Sequence, residues 1–122
     1  MSWLAQTIRR ERRALERARR RFVGEPTEKH LHDVRTTGRR FRSLLEDAAD
    51  LLPHPRLLRR VRRAAAATDA ARDATIIRQL LETSTDPSEV DVARPLIEEL
   101  VEQERSATRI ARRRLRRTSF LP

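Results

Sequence analysis

His32, Arg35, Arg39 and Arg42 stand in the segment HDVRTTGRRFR at spacings of three, four and three residues. On a helix turning about 100° per residue they share an arc of about 80°. Three guanidiniums and an imidazole held this close repel one another unless an anion sits among them. Arg presents a planar fork of donors that matches phosphate oxygens, and protonation of His adds to the attraction. The chemistry is therefore recognition of a phosphate-rich polyanion. Val34, Phe41, Leu44, Leu45 and Ala48 gather on another arc, the face a helix buries. The cationic stripe thus borders a core. Packing there can hold the side chains still while their tips reach a ligand.

Further along, Arg59, Arg60, Arg62 and Arg63 form a dense run. Arg59, Arg62 and Arg63 share a side, which suggests a second basic stripe facing the first. Arg72 is either a further ligand contact or half of a local pair with Asp73, whose carboxylate would orient an Arg. His30 and His54 point elsewhere, and the three histidines lack the spacing of a three-ligand metal site, so neither a metal nor a catalytic group is expected. Plainer readings stay open on the residues alone: His32 as a structural histidine, the Arg runs as solvated faces. In helix 1 the run RRERRALERARRR contains Glu16 at helical spacing from Arg19 and Arg20, ordinary support for a helix. Arg112 to Arg117 would complement the dipole at the end of the last helix.

The elements that must position these groups are helices. The chain has 122 residues, only two glycines and no strand-like alternation. Ser2 to Phe22 carries Leu4, Ile8, Leu15, Ala18 and Phe22 on one seam, and Gly24 and Pro26 stop it. A second helix is predicted from Thr27, its N-cap, to about Leu52, before Pro53 and Pro55. A third begins near Pro55 and carries Leu57, Leu58, Val61, Ala65, Ile76 and Leu80, with a kink or new cap at Thr68-Asp69. STDPSE is a start signal, with Asp86 as N-cap and Pro87 at N1. Pro95 places the main body of the fourth helix from there to about Arg117. The tail, residues 119–122, is expected to be frayed. Four helices with short connections predict a single all-α domain, an antiparallel four-helix bundle over residues 1–122.

Composition narrows the function. The net charge is +10, and among 28 basic residues only Lys29 is lysine. Aromatics are few (Trp3, Phe22, Phe41, Phe120), which argues against a platform for stacking bases. Without cysteine there are no disulfides and no thiolate metal sites. No apolar run approaches the length of a membrane span. MSWLAQTIRRERR lacks a signal-peptide core, so a cytoplasmic protein is expected. A phosphatase would need a P-loop, a Cys nucleophile or a metal cluster, and none is evident.

The stripe resembles the first motif of the CHAD domain, an α-helical family whose pattern reads H-x-x-R-V-x-x-R-R-L-R. His32, Arg35, Arg39, Arg40 and Arg42 match it; Thr36 replaces Val and Phe41 replaces Leu. A second motif, L-G-x-x-R-D-x-x-V, is similar to Arg72, Asp73 and Ile76, with Thr68-Asp69 in place of Leu-Gly. The resemblance implies a helical domain that binds inorganic polyphosphate without turning it over, with polyphosphate granules as a place of action. It adds Arg40 to a candidate set of His32, Arg35, Arg39, Arg42, Arg59, Arg63 and Arg72, with no cofactor. Such domains usually have two similar halves around a basic channel. This chain looks like one half, so a homodimer is expected to supply the other, with Trp3, Leu4 and the helix 4 seam as candidate contacts. The alternative is a basic helical protein that binds nucleic acid.

Overall fold

A computed structural model describes residues 2–122. Among them there are four α-helices and no strand: α1 (Trp3–Gly24), α2 (Glu28–Asp47), α3 (Pro55–Ser84) and α4 (Val90–Arg116). A 3-10 turn, Pro87–Glu89, precedes α4.

Caps set the first two starts. Ser2 Oγ accepts the Ala5 N–H at 3.1 Å, and Thr27 Oγ1 accepts the His30 N–H at 3.2 Å. Each helix then buries its apolar stripe: Ile8, Leu15, Ala18 and Phe22 from α1, Leu31, Val34, Phe41 and Leu45 from α2. Leu57, Val61, Ala64 and Ala71 of α3 complete the core with Ala111 and Leu115 of α4. Helix α1 packs on α2, α2 on α3, α3 on α4, and α4 returns to α1. The contacts run in opposite chain directions. Arg35 of α2 meets Thr68 of α3 while Glu28 meets Gln79, and Arg19 of α1 meets Leu115 while Val23 meets Arg112.

Four details differ from the sequence reading. Helix α2 ends at Asp47, short of Leu52, because the chain tightens into turns closed by Leu51 and Leu52 N–H to the Ala48 carbonyl. No break occurs at Thr68-Asp69: Thr68 is buried, and its hydroxyl donates back to the carbonyls of α3's own previous turn, so its polar group is satisfied inside the helix. Helix α4 starts at Val90, with Pro95 inside it, losing one hydrogen bond rather than ending the helix.

The tail is the fourth: residues 119–122, expected to be frayed, are anchored at Phe120. Phe120 is fully buried, its N–H donates to Glu16 Oε1 at 3.2 Å, and its carbonyl accepts from Arg12. Conversely, Ile76 and Leu80, placed on the apolar seam of the third helix, are exposed, and so are Val92, Leu96 and Ile110 of α4. For Leu80, Val92 and Leu96 the reason is length: α2 begins level with Arg78 and Gln79, and α1 ends level with Arg112, so the far part of the α3–α4 hairpin has no other helix to cover it.

Candidate functional site

The groove between α2 and α3 is built by the stripe that borders the core. Val34 is drawn into the core, which turns Arg35, Arg39 and Arg42 along the edge of α2. Arg62, Ala65, Ala66 and Asp69 form the α3 wall, with Gly38 on the floor, and the groove encloses about 300 Å³.

Its charges are unequally partnered. Arg35 is the most fixed: its Nη1 donates to Asp69 Oδ1 and Thr68 Oγ1, both at 2.8 Å, and to the Ala65 carbonyl at 3.3 Å. Arg42 and Arg62 share the Glu46 carboxylate at 2.8 and 3.3 Å. The Arg42 hydrogen bond leads in holding that carboxyl below its ordinary range, against desolvation, with Arg62 assisting. Arg39 has no hydrogen-bond or ion-pair partner among the described residues. One free guanidinium thus lies between paired ones, and the groove keeps unneutralised positive charge. The Asp69 and Glu46 carboxylates are exposed, so their pairs contribute little to stability.

The predicted residues divide. Arg35, Arg39 and Arg42 come together. His32 lies one turn beyond, exposed, with Thr36 Oγ1 3.4 Å from its Nε2. The register between the Arg35–Thr68 and Glu28–Gln79 contacts puts half-buried Arg72 of α3 level with His32 of α2, both beyond the groove's lining. Arg40 turns away to α1, 3.3 Å from Glu11 Oε2. Arg59 stays on the exposed outer ridge of α3, and Arg63 opens on the opposite flank, beside Arg60 and Arg117. Arg62, rather than Arg59 or Arg63, is the α3 arginine in the groove. Its helical phase against Val61 and Ala65 could have shown this, since Arg59 and Arg63 lie about 60° and 100° further round. Asp69, read as a helix breaker, holds Arg35 instead.

Elsewhere, buried Glu16 takes Arg19, Arg20 and the Phe120 N–H. Arg78 gathers Glu28, Glu82 and Glu104. His30 is engaged by the Glu25 carbonyl at 2.6 Å. No helix of the described residues is long and apolar enough to cross a membrane.

A family model described as CHAD domain matches residues 3–121, nearly the whole chain. No curated protein and no solved structure matches.

Proposed function

The chain belongs to the CHAD domain family, which is associated with polyphosphate binding, and from that membership we propose that it holds inorganic polyphosphate in the α2–α3 groove without catalysis. The observation that carries this reading is Arg39, an unpartnered guanidinium flanked by Arg35, Arg42 and Arg62. Polyphosphate has no base edges to read, so recognition needs only charge and spacing, which Arg provides. In this reading His32 on α2 and Arg72 on α3 lengthen the track beyond the groove. The opposed helix directions and closed packing order support an antiparallel four-helix bundle as the frame.

In this reading the protein acts in the cytoplasm, at polyphosphate granules, and pairs with a second copy. The support for pairing is the uncovered strip of α4, where Val92 is 83 % exposed next to exposed Leu96, with exposed Ile110 further along the same face. The rival occupant of the groove is nucleic acid. Competition decides: labelled long-chain polyphosphate bound to the protein is challenged with unlabelled polyphosphate or duplex DNA at equal phosphate concentration. Displacement by polyphosphate at far lower concentration supports the proposal; equal displacement by DNA removes it.

A further inference from the structure

Along α3, Arg56, Arg60 and Arg63 repeat the spacing of Arg35, Arg39 and Arg42 on α2: four residues, then three. Each triple covers an arc of about 60°. The two do not face each other. Arg62 is the α3 arginine that opens toward α2, whereas Arg60 and Arg63 open where the end of α4 and the anchored tail meet α3.

There Arg60, Arg63 and Arg117 line a recess with Thr118 and Ser119. Immediately beside it, Arg12, His54 and Arg56 join Arg60 in an adjoining recess. No Asp or Glu lines either one. The α2–α3 groove has Asp69 on its wall and Glu46 at its mouth, so the second flank is the less neutralised of the two. Among the described residues, the side chains of Arg56, Arg63 and Arg117 make no hydrogen bond or ion pair, and Arg60 reaches only the Ser119 carbonyl, at 3.5 Å. Burial, and then the charge of Arg60, pull the Arg12 guanidinium below its ordinary range. The like charges are close enough to be felt, and nothing in the fold offsets them.

The tail makes the recess possible. Thr118 and Ser119 stand against α3 because Phe120 is locked into the core by Glu16 and Arg12. Arg59 lies on the exposed ridge between the two flanks of α3, about 60° from Arg62 and about 40° from Arg63.

We propose that Arg56, Arg60, Arg63 and Arg117 form a second phosphate site, so that one polyphosphate chain crosses α3 over Arg59 and occupies both flanks. This rests on the polyphosphate reading of the first groove and adds a consequence to it. A helix with its side chains is about 10–12 Å across, so only a polymer of many phosphates reaches from one flank to the other. Joining two modest sites through one ligand raises affinity steeply, and a ligand too short to span them gains nothing. The protein then selects long chains over short ones.

The test is titration of long-chain polyphosphate and of tripolyphosphate into the full chain and its variants at fixed low salt. Arg63→Gln with Arg117→Gln removes two charges from the second flank; Arg105→Gln with Arg113→Gln removes two from elsewhere on α4. The first pair is expected to weaken long-chain binding by roughly tenfold or more and the control pair by about twofold at most. The preference for the long chain over tripolyphosphate should shrink in the first pair alone. Equal losses in the two pairs, or an unchanged preference, overturn the second site. Failure of the unmodified protein to bind polyphosphate is a separate result and removes the first groove instead. If circular dichroism shows the first variant misfolded, Arg56→Gln with Arg63→Gln, both exposed and off the tail, carries the same expectation.

Discussion

The Glu16 carboxylate, 2 % exposed, accepts the backbone N–H of Phe120 at 3.2 Å, so a carboxyl in the first helix holds the end of the chain. Arg19 and Arg20 complete its hydrogen bonds at 2.7 and 2.9 Å. Removing one member of such a buried group leaves the others unpaired, which costs more than the pair itself contributes. Glu16→Gln should destabilise the fold by on the order of 2–4 kcal/mol in urea denaturation. A change below about 0.5 kcal/mol would show the contact to be incidental.

The same group sets an acid limb. Burial acts to raise the Glu16 pKa, but the hydrogen bonds from Arg19, the Phe120 N–H and Arg20 prevail and lower it from its ordinary 4.5. A carboxyl lowered in the folded state contributes stability that is complete above its unfolded value and is lost as pH falls through the folded one. Melting temperature should therefore drop on acidification below about pH 4.5, and less steeply in Glu16→Gln. Parallel acid limbs in the two proteins would contradict this.

Phe120 fills the core where α1 and α4 meet. Phe120→Ala should cost about 3–5 kcal/mol, the usual penalty for emptying a buried aromatic position. Because Arg60 and Arg117 face the tail, the same variant should also weaken long-chain polyphosphate binding while leaving the Arg39 groove in place.

Arg39→Ala with Arg42→Ala should weaken polyphosphate binding far more than Arg105→Ala with Arg113→Ala, although each removes two charges. Affinity should also fall steeply with added salt, since polyanion association releases counterions. Titrations at two salt concentrations check both statements.

Gly38 sits mid-helix on the groove floor with a negative φ, and a Cβ there would meet nothing nearer than Leu15 Cδ1 at 3.8 Å. Gly38→Ala should stabilise α2 by about 0.5–1 kcal/mol, read as a rise of a few degrees in melting temperature.

Val92→Asp with Leu96→Asp places charge in the uncovered α4 strip. If that strip joins two copies, sedimentation at micromolar concentration shows dimers that the variant loses and that polyphosphate tightens. A monomer under both conditions removes the homodimer.

Four helices, the caps at Thr27 before α2 and Asp86 before the 3-10 turn, and most core positions were legible in the sequence because they depend on local rules. Leu4, Ile8, Leu15, Ala18 and Phe22 repeat at helical spacing, and Thr27 and Asp86 are short polar side chains just ahead of helical residues. The arc shared by Arg35, Arg39 and Arg42 follows from helical pitch alone. The position of the stripe at a core edge follows from the phase of Val34 and Phe41. What lies opposite the stripe depends on the relative rotation and register of two helices, and that is a property of packing. It brought Arg62 and Asp69 into the groove and sent Arg63 to the other flank. Helix lengths, each readable singly, decide burial only when compared. Leu80 and Leu96 have the pattern of a core and lie outside it because α2 begins, and α1 ends, short of them. Phe120 follows the last helix in a tail with no periodicity of its own. Only the three-dimensional meeting of α1 with the chain end provides the Glu16 acceptor and the apolar space that bury it.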